Sequence, residues 1–199
     1  MTRKRNLLGN MVCGILGFGV LAISSSAVYA FQNITPMEAY NWVTVDENVF
    51  IIDVRTEAEW RWVGHPGENK LPAEQGGPEG TDLNGKVVNI SYEIEKKGEL
   101  IVNRHFINDV DDLFASNPNV VLINMCRSGG RSVAASEALE AAGYLNVYNM
   151  VTGFEGGKDV LGYRSVNGWK VDGLPYTNSG TGYIVNEYNH RHRHYNRQK

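Results

Sequence analysis

The stretch Val121-Leu122-Ile123-Asn124-Met125-Cys126-Arg127-Ser128-Gly129-Gly130-Arg131-Ser132 runs from apolar residues into a thiol, sets two arginines around two glycines, and leads into an alanine-rich segment. Residues 120–125 read as a short buried strand, and residues 132–142 as a helix closed by Gly143. The loop between them lies where a strand hands over to a helix, the place at which open α/β sheets form ligand crevices. Gly129 and Gly130 let successive N–H groups turn inward, and the following helix adds its positive end to the same point. Such a pocket favours anions. A thiol held there beside Arg127 and Arg131 is favoured as thiolate, the form that acts as a nucleophile. A cysteine at a strand end is otherwise a small buried hydrophobe more often than a reactive group. The flanking residues decide for reactivity.

Outward from this loop, the chain alternates strand and helix. Thr35-Pro36-Met37-Glu38 supplies an N-cap, a proline at the first helical position and a capping glutamate, which predicts a helix to about Val45. Residues 49–54 read as a strand, 56–63 as a short helix, 87–90 as a strand and 103–115 as a helix. Pro118-Asn119 marks the turn into the cysteine strand, and residues 146–150 form a last strand. This rhythm predicts an α/β fold, a single doubly wound domain with a mainly parallel central sheet flanked by helices on both faces. Asp53, at a strand end, is placed to cap the next turn and pair with Arg55. Trp60, Trp62 and Trp169 read as core or rim aromatics.

The run Cys126-Arg127-Ser128-Gly129-Gly130-Arg131-Ser132 resembles the active-site loop of rhodanese-like sulfurtransferases. Ile52-Asp53-Val54-Arg55, with Glu59 and Gly64-His65, resembles the family's first-strand signature. Val151-Thr152-Gly153-Phe154-Glu155-Gly156-Gly157 and Gly168-Trp169-Lys170-Val171-Asp172-Gly173-Leu174-Pro175 resemble its closing segment, so the likeness spans roughly residues 34–176. It implies a ping-pong enzyme in which Cys126 takes a sulfane sulfur from an anionic donor, such as thiosulfate or a persulfide, and passes it to cyanide, a thiol or a protein acceptor. No cofactor or metal is implied. Arg127, Ser128, Gly129, Gly130, Arg131 and Ser132 would bind the substrate, while Asp53, Arg55, Glu59 and His65 would support the loop. Arginine suits this role independently, because its planar fork matches oxyanions. Two alternatives compete. One is a non-catalytic module that carries a persulfide or binds a partner; the other is a cysteine phosphatase. Four residues separate Cys126 from Arg131, one fewer than such phosphatases use to embrace phosphate.

Arg3, Lys4 and Arg5 precede an uncharged apolar stretch over residues 7–23 and a small-residue exit ending at Ala30, the pattern of a secretory signal peptide. Residues 1–30 are therefore expected to direct export, most simply to a periplasm; retained uncleaved, they would anchor the domain to a membrane. Cys13 would leave with the peptide. Cys126 would then be the one cysteine of the mature chain, a thiol kept for chemistry and not for a disulfide. The domain is expected over residues 31–178, interrupted by a Gly-, Pro- and acid-rich insertion at 66–86 that would flank the site mouth. Residues 179–199 form a polar tail with His190, His192 and His194, expected to be solvated. Setting the first three cations aside leaves 16 basic against 22 acidic residues, so nucleic acid is not an expected partner.

Overall fold

In the computed structural model, which describes residues 31–67, 83 and 85–178 with the backbone of 183–185, two Thr-x-x-Glu boxes start the first two helices. Thr35 accepts from the Glu38 N–H while the Glu38 carboxylate accepts from the Thr35 N–H at 2.7 Å; Thr56 and Glu59 repeat the arrangement. Each box satisfies N–H groups that the first helical turn would leave unpaired. The elements run β1 (Gln32–Ile34), α1 (Pro36–Val45), β2 (Val49–Asp53), α2 (Glu57–Val63), β3 (His65–Pro66), β4 (Val87–Ile90), β5 (Glu93–Lys96) and β6 (Glu99–Val102). They continue with α3 (Phe106–Phe114), β7 (Val121–Met125), α4 (Gly130–Ala141), β8 (Val147–Met150), β9 (Gly157–Lys158), β10 (Arg164–Val166), β11 (Tyr176–Thr177) and β12 (Tyr183–Val185).

The central sheet has the order β1-β8-β7-β2-β4-β12, every neighbouring pair parallel. Alternation along its strands feeds two cores. Ile51, Ile123 and Met125 pack on one face with Ala39 and Val43 of α1 and Trp60 of α2. Ile52 and Leu122 pack on the other with Phe106, Val110 and Phe114 of α3 and Ala135 and Leu139 of α4. Side chains of successive strand residues point to opposite faces and both faces are covered, which is why residues 49–52 of β2 are apolar throughout instead of alternating. The expected doubly wound sheet is what the chain forms.

Several elements differ from the sequence reading. β1 is three residues long and pairs with β8, too short for periodicity to reveal. The hairpin of β5 and β6, with Lys97 and Gly98 at positive φ in its turn, falls between the strand and helix expected on either side. Short strands also follow residue 150, where none was expected: β9 pairs with β10, and β11 with β3. α4 begins at Gly130, two residues early, which places Arg131 and Ser132 in its first turn. The expected insertion begins at Pro66 in β3 and ends with Leu83, 2% exposed in the core, and Lys86; residues 68–82 and 84 lie outside the described residues. The expected signal segment and the histidine-bearing stretch also lie outside them.

Trp60, Trp62 and Trp169 separate cleanly. Trp60 and Trp169 are fully buried, and the Trp169 indole donates to the Pro175 carbonyl at 2.7 Å with Tyr40 edge-on to its ring. Trp62, expected in the core or at its rim, is 82% exposed because it follows Trp60 on a helix whose buried stripe is one residue wide. Trp169→Ala is therefore expected to cost about 3–5 kcal/mol and Trp62→Ala within about 0.5 kcal/mol, measured by urea unfolding.

Candidate active site

Cys126 follows the last residue of β7 and sits at the start of α4, with 1% of its surface exposed. Its sulfur receives the Gly129 N–H at 3.1 Å and lies 3.4 Å from the Ser132 hydroxyl. Gly129 is the N-cap of α4 with φ +98°, a left-handed conformation that glycine adopts without penalty. Gly130 has no such requirement and opens the helix. Arg127 and Ser128 are exposed at the mouth, and Cys126 is the one free cysteine among the described residues.

The loop is held from behind by the segment after β8. The Phe154 N–H donates to the Cys126 carbonyl at 2.8 Å and the Glu155 N–H to the Arg127 carbonyl at 2.9 Å. Gly153 precedes them with φ +59°, and a Cβ there would fall 2.3 Å from the Cys126 oxygen. Only glycine fits this approach. On the other side, the Val54 N–H donates to the Met125 carbonyl at 2.8 Å.

Two ion pairs frame the loop. Asp53 and Arg55 pair at 2.6 Å with both side chains fully buried, and the Arg55 guanidinium also donates to the Gly64 carbonyl at 2.7 Å. That guanidinium lies 4.3 Å from the centroid of the Phe154 ring. Burial works against its charge, but the charge and hydrogen bonds of Asp53, with the charges of Glu59 and Glu155, together raise its basicity. The second pair joins the two helices: the Arg131 guanidinium donates to both Glu59 oxygens, at 2.8 and 2.6 Å. Glu59 thus serves the Thr56 capping box and the cysteine loop together. Burial pushes its carboxyl up, yet the Arg131 hydrogen bonds and charge, with those from Thr56, hold it down to about 2.

These contacts bring together most of the residues named from the sequence and refine their parts. Cys126, Gly129, Arg131 and Ser132 surround one point, and Asp53, Arg55 and Glu59 brace it. Arg131 has two of its nitrogens on Glu59, so Arg127 is the more accessible guanidinium. His65 lies farther back, its ring stacked on Trp60 at 3.6 Å between centroids and its Nδ1 3.0 Å from the Pro66 oxygen. Sequence reasoning missed Asn89 and Ser91, which donate to the Asp53 and Arg55 carbonyls at 2.8–2.9 Å. An asparagine inside the apolar run Val87–Ile90 was the signal that could have found the first of them.

A carboxyl whose folded pKa is depressed stabilises the fold above its unfolded value and loses that contribution as pH falls through the folded one. For Glu59 the window runs from 4.5 down to about 2. Glu59→Gln is expected to lower stability at pH 7 by on the order of 2 kcal/mol, discounted for partial exposure, with the gap to wild type closing across that window. Urea unfolding in a pH series measures it.

Comparison with known proteins agrees with this fold. The model of the Rhodanese-like domain matches residues 35–159. An uncharacterized protein of Rickettsia conorii is 32% identical over 145 residues, covering 73% of this chain and 96% of the relative. Thiosulfate sulfurtransferase 18 of Arabidopsis thaliana is 36% identical over 69 residues, 35% of this chain and 49% of that protein. The crystal structure of Rv0390 from M. tuberculosis superposes with a TM-score of 0.57 at 32% identity, over 76% of this chain and 99% of that one. With its cysteine loop, parallel sheet and closing segment all in place, the chain belongs to the rhodanese-like domain family.

Proposed function

We propose that the protein is a sulfurtransferase whose Cys126 carries the transferred sulfur. The observation that supports this most is the position of the sulfur at the N-terminal end of α4, with the Gly129 N–H at 3.1 Å and the Ser132 hydroxyl nearby. Donors aimed at one atom stabilise it when it bears negative charge, because amides and helix ends fixed in place need no reorganisation. A thiolate benefits, and so does a persulfide.

With thiosulfate as donor, the Cys126 thiolate attacks the sulfane sulfur. An S–S bond forms to Cys126 as the bond to the sulfonate sulfur breaks, and sulfite leaves with that electron pair. Cyanide or a thiolate then attacks the outer sulfur of the persulfide, forms its own bond to it, and returns the electron pair to Cys126. No external oxidant or reductant enters. Arg127, exposed at the mouth, draws the anionic donor in, while Arg131 holds the first turn of α4 through Glu59. A sulfur with 1% residue exposure suits a slender donor or acceptor over a bulky one. We further propose, from the charged head and apolar run at residues 3–23, that the domain works outside the cytoplasm.

Incubation of the protein with thiosulfate is expected to add the mass of one sulfur to the Cys126 peptide, and cyanide to remove it as thiocyanate. Cys126→Ser is expected to abolish both steps while leaving the thermal unfolding midpoint within a few degrees of wild type. A Cys126 peptide that never gains sulfur from thiosulfate or from a small persulfide overturns the reading.

A further inference from the structure

Asn124 is fully buried near the end of β7, two residues before Cys126 and therefore on the same side of the extended chain. Its Nδ2 donates to the Ser136 hydroxyl at 2.9 Å, and that hydroxyl donates to the Ser132 carbonyl at 2.8 Å. Ser132 and Ser136 are also fully buried. Ser136 has a single proton, and the Ser132 carbonyl takes it, so the atom of Asn124 facing Ser136 must be the amide nitrogen. The chain of donors then has one direction, from Asn124 through Ser136 to Ser132.

Ser132 is where this chain meets the sulfur. Its own single hydroxyl proton has two acceptors, the Gly129 carbonyl at 3.0 Å and the Cys126 sulfur at 3.4 Å. A neutral thiol is a weak acceptor and leaves the proton on the carbonyl; an anionic sulfur attracts it. Small rotations of the first turn of α4 decide whether the hydroxyl can reach the sulfur. The link from β7 through Ser136 fixes that turn.

The cost of the arrangement argues against a purely structural origin. The Asn124 Oδ1 has no hydrogen-bond donor among the described residues, and Asn149, beside it in register on β8, leaves its own Oδ1 equally without one. An apolar side chain would avoid that desolvation cost on a strand otherwise packed with Leu122, Ile123 and Met125. We infer that Asn124 and Ser136 are positioning residues for sulfur transfer, orienting Ser132 so that its hydroxyl follows the charge on the Cys126 sulfur. This rests on Cys126 being the sulfur carrier.

Asn124→Val, Ser136→Ala and Ser136→Thr test it by two independent measurements. The first is the rate at which iodoacetamide alkylates Cys126 at pH 7; the second is steady-state transfer from thiosulfate to cyanide. Asn124→Val and Ser136→Ala are expected to slow alkylation and to lower kcat on the order of fivefold, with KM for thiosulfate within about twofold of wild type. Asn124→Val is expected to unfold at or above the wild-type temperature, and Ser136→Thr to restore the rates by keeping the hydroxyl. Rates unchanged in both variants overturn the inference. Losses that follow a lowered unfolding temperature, without rescue by threonine, overturn it as well. Were wild type to gain no sulfur, the transfer reading would fail, while alkylation would still decide whether these residues tune the thiol.

Discussion

A guanidinium group enclosed on every side is the constraint around which this domain is arranged. Arg55 cannot shed its charge, and stripping water from it costs several kcal/mol unless partners surround it. Asp53 supplies the countercharge and Gly64 a carbonyl, while the Phe154 ring covers the remaining face. Each partner comes from a different part of the chain. Asp53 ends β2, Gly64 ends α2, and Phe154 belongs to the segment whose N–H groups hold the Cys126 and Arg127 carbonyls. Pairing one buried cation through its Nε and Nη2, with Nη1 left without a hydrogen bond among the described residues, therefore sets the backbone on which the sulfur is mounted. Asn89 and Ser91 extend the same logic by securing the carbonyls of Asp53 and Arg55 themselves.

The second ion pair works at lower cost and with different consequences. Glu59 and Arg131 are each about one-fifth exposed, so water shares in their solvation. Their contact is a planar two-point match, which fixes orientation better than a single bond would. Because Glu59 also closes the capping box of α2, the start of that helix and the start of α4 are locked to each other. Arg131 consequently serves geometry first, and Arg127 is left facing solvent.

Much of this was legible in the chain itself. The cysteine loop, the flanking strand and helix, the Asp53–Arg55 pair and the parallel sheet all follow from local pattern: apolar runs of strand length, a proline-started capped helix, glycines at a turn. What escaped had a different physical origin. β1 and the short ladders after residue 150 owe their existence to pairing partners far away in sequence, which no window of neighbouring residues contains. The pairing of Glu59 with Arg131 spans 72 positions, and its local clue, the Thr56-x-x-Glu59 box, announces only a helix start. Trp62 was misjudged because a seven-residue helix has too few turns to show which stripe faces inward.

That Cys126 stands alone as a thiol among the described residues bears on how a loaded protein would empty itself. Paired cysteines can discharge a persulfide internally, by closing a disulfide and expelling hydrosulfide. Under the function proposed above, and with no second thiol beside it among the described residues, a stored sulfur would wait for a visitor, its dwell time set by acceptor concentration and by how easily that acceptor reaches the recess. The domain would behave as a capacitor, charged by one encounter and drained by the next.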